Sequence, residues 1–292
     1  QPHGFEFIHC GANFSERQNI GVVGKNFSLF DIERIRGLGL TRFLREHPVF
    51  TLDELVASEP GRPAGTVKAL LRYHLQRGNL VRVRRGLYMA ADWFDPWLLA
   101  SRLAPDAVVA YEGALKLQQP WKTQDPLVDP EERISFLTTA ARFPYLSVGG
   151  IAFTPVRPPL ALGSRWAGRG VTTLERGGLR LRLTSPERTV VDLLDRIALG
   201  PGPAELWESF VHGGLDPGPM VRHARALESA IVAARLGLFL EHLPGIRAVH
   251  LEALERARPA SPAYFDRARH EGKASFARRW NLVVPLRLHH LL

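Results

Sequence analysis

The most restrictive feature of the sequence is a change of hydrophobic period between residues 40 and 90. Apolar residues first recur every three or four positions, as in helices, and then form two short β-prone runs around a glycine, as in a β-hairpin. Three short helices followed by a hairpin are the order of a winged helix-turn-helix, which reads DNA with its last helix and touches the backbone with its hairpin, the wing. The sequence therefore predicts such a domain over residues 28–92.

Local signals place the elements of this domain. Pro48 ends the first helix, and a second helix begins at Thr51, whose hydroxyl forms a capping box with Glu54. The third helix is expected over residues 64–77, and the hairpin over residues 80–89. The domain thus has a complete set of predicted elements.

Charge sets this segment apart from an ordinary surface. The window from Pro60 to Ala91 holds seven basic residues and no acidic one, within a chain of net charge +9. A solvated surface usually mixes both signs, so the pattern favours a polyanionic partner, with a solvated basic face as the alternative. The seven residues are Arg62, Lys68, Arg72, Arg77, Arg82, Arg84 and Arg85.

The predicted DNA contacts fall into two groups. Phosphate contacts would fix the position of the domain on the duplex, and base-edge contacts would read the sequence. His74 lies on the apolar stripe of the third helix and is interpreted as a packed core residue. The phosphate group consists of Arg62, Arg77, Arg82, Arg84 and Arg85, and the base-edge group of Thr66, Lys68, Arg72 and Tyr73.

Residues 93–292 are predicted to form a larger mixed α+β domain with a mostly helical C-terminal half. Prolines at 155, 158 and 159 confine at least one of its strands to a sheet edge or exit. Helices are expected at about 97–103, 111–117, 186–198, 203–212, 217–230, 231–242 and 246–256, and strands at 107–110, 133–138, 145–148, 151–156, 179–183 and 282–288, the first of these being a strand or a helix start.

Several function classes are disfavoured. The single cysteine, Cys10, allows neither an intrachain disulfide nor a cysteine zinc cluster, and the histidines lack metal-ligand spacing. No cofactor motif is found, and no apolar run has the length of a membrane span. We therefore expect a cytoplasmic protein without cofactor or metal. Residues 1–27 are interpreted as a tail, disordered or foreign to the natural chain; the P-loop-like stretch 19–26 within them lacks the required hydroxyl.

The stretch from Thr184 to Arg196 raises the question of an acidic active site. Its apolar residues follow a helical period, and either Thr184 with Glu187 or Ser185 before a proline can cap the helix. Asp192 lies four residues from both Arg188 and Arg196, a spacing that helix surfaces commonly use. We interpret the stretch as a capped amphipathic helix. The preceding loop, residues 163–170, is basic with Arg157, Arg165 and Arg169 nearby, and either contacts phosphate or is simply solvated.

Three motifs together resemble a known family, the AbiEi-type antitoxins of type IV toxin–antitoxin systems, which are named from abortive phage infection. The motifs are Phe50-Thr-Leu-Asp-Glu-Leu55 with the wing Leu80-Val-Arg-Val-Arg-Arg-Gly-Leu-Tyr88, then Leu183-Thr-Ser-Pro-Glu-Arg-Thr-Val-Val-Asp192, and finally Ala234-Arg-Leu-Gly-Leu-Phe-Leu-Glu241. The resemblance extends from about Ser28 to the C-terminus.

The resemblance implies a transcriptional autorepressor encoded beside a nucleotidyltransferase-like toxin. Its N-terminal domain would bind inverted repeats in its own promoter, and its C-terminal domain would carry antitoxicity, with or without a stable toxin complex. It also implies that basic residues of the second domain help to bind DNA. These are the arginines at positions 176, 180, 182, 267, 269, 278 and 279.

Two other functions remain open from the sequence. The C-terminal domain could be an enzyme that modifies the toxin or a nucleotide with acidic residues such as Asp192 and Asp195. Alternatively, the protein could be a ligand-responsive winged-helix regulator unrelated to toxins. We favour a non-enzymatic repressor and antitoxin over both.

Overall fold

The computed structural model describes residues 40–118, 133–141, 143–266 and 273–292. The predicted tail, its P-loop-like stretch, Arg267 and Arg269 lie outside these ranges. Within them, the protein combines helices with three separate sheets, which confirms the predicted α+β class.

The N-terminal part has the predicted elements and one additional strand. A three-stranded sheet with the order β1-β3-β2 packs beside three helices, an arrangement that fits a winged helix domain. The unpredicted strand β1 has only three residues, too few to show an alternating pattern. The elements are α1 (Leu40–Glu46), β1 (Val49–Thr51), α2 (Leu52–Ala57), α3 (Ala64–Gln76), β2 (Leu80–Arg84) and β3 (Leu87–Ala90).

A six-stranded mixed sheet follows, with the strand order β6-β7-β5-β4-β9-β8. Pro155 lies in β7, beyond the last residue that pairs with β6, so its missing amide leaves no gap on that side. The sequence did not predict β8, in which exposed and partly buried side chains are equal in number and none is fully buried. The elements are α4 (Pro96–Arg102), β4 (Val108–Val109), α5 (Tyr111–Leu117), β5 (Arg133–Leu137), β6 (Leu146–Val148), β7 (Ile151–Val156), a 3-10 segment (Leu160–Ala167), β8 (Val171–Arg176) and β9 (Leu179–Thr184).

The C-terminal half is mostly helical, as predicted, and ends in a small sheet. The apolar run 282–288 is not one strand, because the chain turns into a short helix after Pro285. The elements are α6 (Pro186–Asp195), a 3-10 turn (Ile197–Leu199), α7 (Pro203–His212), α8 (Pro217–Ala226), α9 (Ala230–Glu241), α10 (Ala248–Glu255), β10 (Ala263–Tyr264), β11 (Ala274–Ala277), a 3-10 turn (Arg278–Trp280), β12 (Leu282–Pro285) and α11 (Leu286–His289).

The core connects the N-terminal elements to the six-stranded sheet. Val49, Leu87 and Met89 of the small sheet belong to the same buried cluster as Trp97 of α4 and Phe136 of β5. The boundary between residues 92 and 93 is therefore crossed by apolar packing. The division into domains at this position stays a prediction.

Gly237 of α9 has a clear packing role. A Cβ atom at this position would lie 2.2 Å from the ring of Trp280, which is fully buried. The motif that begins at Ala234 thus needs a glycine here, because the indole occupies the space that a side chain would take. No helix in the described ranges is long and apolar enough to cross a membrane.

Candidate nucleic-acid interface

Helix α3 presents two opposite faces. Val67, Leu71 and His74 are buried and fix the helix to the small core of the N-terminal part. The four predicted base-edge residues of this helix are all exposed: Thr66, Lys68, Arg72 and Tyr73. The helix therefore leaves the predicted reading face open to a partner.

His74 is a packed core residue, as the sequence predicted, with only 1% of its surface exposed. Its Nδ1 lies 3.1 Å from the side-chain nitrogen of Asn79, so Nδ1 is the acceptor and the proton belongs on Nε2. Burial lowers the pKa of His74, because the interior disfavours the charged imidazolium. The neutral form fits this site.

Tyr73 and Arg77 interact at the C-terminal end of α3. The guanidinium carbon of Arg77 lies 5.2 Å from the centroid of the Tyr73 ring, a cation–π geometry. The tyrosine side chain remains 48% exposed. The structure thus places one predicted base-edge residue beside one predicted phosphate residue.

The three arginines of the wing differ in exposure. Arg82 and Arg85 are exposed, whereas Arg84 is half-buried at an irregularity in the pairing of β2 with β3. The Arg84 Nε is buried without a hydrogen-bond partner among the described residues, and burial lowers the pKa of this guanidinium. Gly86, with φ of 79°, makes the turn that carries Arg85 at the wing tip.

Arg62 forms an ion pair with an acidic residue that lies just outside the basic window. Its Nε lies 3.1 Å from a carboxylate oxygen of Glu59, which stands one residue before the window begins. A phosphate contact by Arg62 would compete with this carboxylate. Arg62 remains a predicted DNA contact, but it starts from a partly neutralised position.

Glu54 links the winged-helix elements to the rest of the protein. It completes the predicted capping box with Thr51 and also accepts a hydrogen bond from Arg102 of α4. Burial alone would raise the pKa of Glu54, but the hydrogen bonds from Arg102 and Thr51 outweigh it and hold the pKa below its usual value. The Glu54 carboxylate therefore bonds both the start of α2 and helix α4.

The stretch 184–196 forms the predicted capped helix, α6, with Ser185 as its cap. The alternative cap by Thr184 is wrong, because its hydroxyl lies 2.7 Å from that of Thr189 instead. Arg196 lies 3.7 Å from Asp195, not beside Asp192 as the spacing suggested.

The Arg188–Asp192 pair of α6 is not on a surface, contrary to the sequence-based interpretation. Arg188 and Asp192 are both 1% exposed, and the Arg188 Nε donates to Asp192 over 3.0 Å. The other carboxylate oxygen lies 2.7 Å from Nε2 of His223 in α8. The helix is covered on its polar side as well, so these three residues form a buried charged cluster.

The basic loop before β8 supplies the remaining partners of Arg188. The Arg188 Nη1 donates to the carbonyl oxygens of Trp166 and Arg169, over 2.6 and 2.5 Å. Gly170 has a positive φ of 57°, and a Cβ atom there would lie 3.1 Å from the Arg188 Cβ. Gly170 therefore serves packing, while phosphate contact by the arginines of this loop stays a prediction.

The geometry offers little to an enzyme based on Asp192 or Asp195. Both oxygens of Asp192 are engaged by Arg188 and His223. Asp195 is half-buried, and burial raises its pKa. Burial and the Asp192 carboxylate also raise the pKa of the neighbouring Tyr111. The contacts thus describe a packed polar core rather than an open site.

The second-domain arginines have different environments. Arg180 and Arg278 are exposed, whereas the Arg176 Nε lies 2.6 Å from Asp95. Arg182 donates to the carbonyl oxygen of Ala167, and Arg279 pairs with Glu255 over 3.1 Å. Sequence spacing did not reveal these partners, which come from distant parts of the chain.

Comparisons with known proteins concern the N-terminal segment and the fold. Residues 40–91 match the family described as transcriptional regulator, AbiEi antitoxin, which confirms the resemblance for the winged-helix segment and supports the general role of a transcriptional regulator. The solved structures that match include the RV2827C protein from Mycobacterium tuberculosis, with 18% identity and a TM-score of 0.55 over 86% of this chain and 92% of that chain. This likeness shows the fold. No curated protein matches the chain.

Proposed function

We propose that the protein is a DNA-binding autorepressor and antitoxin, which acts in the cytoplasm against a co-encoded nucleotidyltransferase-like toxin. The observation that carries the proposal is the exposed face of α3, on which Lys68 and Arg72 stand one turn apart with no acidic residue on the helix. The family match over the same segment supports the general role.

The dimensions of α3 suit DNA recognition. Its 13 residues extend over about 20 Å, which is enough to cross a major groove about 12 Å wide. Lys68 and Arg72 can donate to acceptors on guanine, and Thr66 and Tyr73 can contact either base edges or adjacent phosphates. Arg82 and Arg85 of the wing would reach the flanking backbone. Half-buried Arg84 would contribute less than these two.

The operator and the antitoxic part follow from the same proposal. Inverted repeats in the promoter would bind two copies of the chain, one on each half-site. Antitoxicity would reside in residues 93–292, in which one of the buried clusters lies entirely. Repression and antitoxicity should then be separable by substitution.

DNA affinity of the full chain for its own upstream region tests the repressor part. The Arg72→Ala substitution should weaken binding by about 5- to 150-fold, the equivalent of losing one good base contact. Arg225→Ala, which removes another exposed arginine from helix α8, should leave binding unchanged. Equal affinity of the wild-type chain for unrelated DNA, or equal effects of the two substitutions, would contradict sequence-specific repression.

Growth rescue tests the antitoxin part. Co-expression of the chain with the product of the neighbouring gene should restore growth, and Arg72→Ala should retain the rescue while a promoter fusion loses repression. A neighbouring gene that encodes no toxin, or rescue that disappears together with DNA binding, would contradict the separate antitoxic role.

A further inference from the structure

The small C-terminal sheet places two aromatic residues in one row. Tyr264 of β10 and Phe276 of β11 are both in register with Val283 of the central strand β12. Side chains of directly paired residues point to the same face of a sheet. The two rings therefore lie on one face, about 10 Å apart across the central strand, which is twice the usual spacing of strands.

This row faces solvent. Tyr264 is 44% exposed and Phe276 is 46% exposed, whereas Leu282 and Val284 on the opposite face are buried in the core. Ala274 pairs with Pro285 on the same outward face. The outward face thus carries aromatic and small apolar side chains and, in the three described strands, no carboxylate.

Cations stand at both ends of the edge strand β11. Lys273 precedes Ala274, Arg278 follows Ala277, and both are exposed. Neither forms an ion pair with an acidic residue of the described ranges, unlike Arg279, which pairs with Glu241 and Glu255. The two cations are five residues apart, a span of about 16 Å along an extended strand.

We propose that this face binds single-stranded nucleic acid. Exposed rings on a sheet can stack on unpaired bases, while cations at the ends of the strand contact the phosphates. A duplex hides the faces of its bases, so this site would differ in ligand from helix α3. An acidic protein would be attracted by the same charge, but it has no need for two aromatic rings in register. The proposal does not depend on the proposed repressor function.

Fluorescence anisotropy with a labelled single-stranded RNA of about twelve nucleotides tests the proposal on the full chain. Tyr264→Ala and Phe276→Ala should each weaken binding by about 5- to 150-fold, the usual effect of losing one stacked base. The double substitution Lys273→Ala with Arg278→Ala should weaken binding and reduce the slope of log K against log salt by about 1.4.

Two controls distinguish base stacking from plain apolar contact and from the loss of any exposed ring. Phe276→Trp should retain binding and Phe276→Leu should lose it, because leucine keeps apolar volume without an aromatic face. Tyr145→Ala removes another tyrosine, 41% exposed in a different part of the protein, and should have no effect. Thermal unfolding of each variant verifies that the sheet remains folded.

Four results would overturn the proposal. One is absence of RNA binding by the wild-type chain. Another is loss of RNA binding in Arg72→Ala without loss in Phe276→Ala, which would assign the ligand to α3. The third is a Phe276→Leu chain that binds RNA like the wild type, which would show that no base stacks on this ring. The fourth is a self-association that Phe276→Ala abolishes, which would indicate a protein-docking face. Duplex binding is measured in parallel, so that failure of the single-strand proposal can be distinguished from failure of the proposed repressor function.

Discussion

Helices α3 and α6 are both amphipathic and carry charged residues four positions apart, but the structure uses these charges in opposite ways. In α3, Lys68 and Arg72 are exposed. In α6, Arg188 and Asp192 are 1% exposed and bound to each other. The same spacing therefore occurs once at a surface and once in the interior.

The signs of the charges account for the difference. Two cations cannot share a low-dielectric interior without a counter-charge, so the basic face of α3 has to stay in water. An arginine and an aspartate can be buried together if hydrogen bonds satisfy their remaining atoms. Around α6, His223 and two backbone carbonyls satisfy these atoms except the buried Arg188 Nη2, which has no hydrogen-bond partner among the described residues. A one-sign pattern thus indicates a surface, while a mixed pattern leaves the location open.

The largest expected effect is at the buried cluster. Asp192→Asn keeps the shape of the side chain but leaves Arg188 without its counter-charge, so the free energy of unfolding should fall by about 3–5 kcal/mol. Urea denaturation measures this loss.

Glu46→Gln is the matched control for this substitution. It removes the acid of an exposed pair with the same spacing, Arg42–Glu46, and should cost less than about 0.5 kcal/mol. Equal costs for the two substitutions would show that burial does not distinguish the pairs.

The next largest effect is expected from a substitution that gives α3 the mixed charge pattern of α6. Lys68→Glu places a glutamate four residues before Arg72, and the new pair should leave stability unchanged or raise it by about 0.3–0.5 kcal/mol. Duplex affinity should fall at least about tenfold, because a cation proposed to donate to base edges becomes an anion beside the phosphates. Urea midpoints and anisotropy on the same sample measure both quantities. Unchanged duplex affinity would remove α3 from the interface.

A smaller effect concerns the histidine on the buried face of α3. Since burial lowers the pKa of His74 in the folded state, the unfolded chain takes up the proton first as pH falls. The contribution of His74 to the free energy of unfolding is complete above its usual pKa of about 6.5. Below that pH the contribution declines, by at most about 1.4 kcal/mol per pH unit.

Unfolding free energies at pH 5.5 and 7.5 test this dependence. His74→Gln should be less sensitive to the change than the wild type, since glutamine can still bond Asn79 but does not titrate. The same pH sensitivity in both chains would show that other groups cause it.

The smallest effect is at the acid beside the basic window. Glu59→Ala removes the ion pair with Arg62 and a negative charge near the proposed DNA, so duplex affinity should rise about two- to fivefold, in the range of a surface ion pair. Titrations at two salt concentrations measure it. A fall in affinity would indicate that Glu59 holds Arg62 in its binding position.

The sequence predicted elements best where local physics decides. The capping box of Thr51 and Glu54, the cap by Ser185 and the bounds of α5 depend on neighbours within one helix, and the structure agrees with all three. The three-residue strand β1 and the end of β12 at Pro285 depend on pairing with distant strands. They left no distinct pattern in the chain.

The exposure of the candidate interface was predictable for the same reason. An exposed helix face of one sign needs no tertiary partner, so Lys68 and Arg72 could be placed from spacing alone. Glu59 opposite Arg62 and the burial of Arg84 were not visible, because they depend on the turn before α3 and the irregular pairing of the wing.

The sequence by itself determined the α+β class, the order of the winged-helix elements and the basic face of α3, because periodicity, caps and like-charge repulsion act within short segments. Only the tertiary structure decided that Arg188, Asp192 and His223 form a buried cluster, that Gly237 makes room for Trp280, and that Tyr264 and Phe276 share an exposed row. These outcomes depend on which distant elements cover each face, and no local pattern encodes that choice.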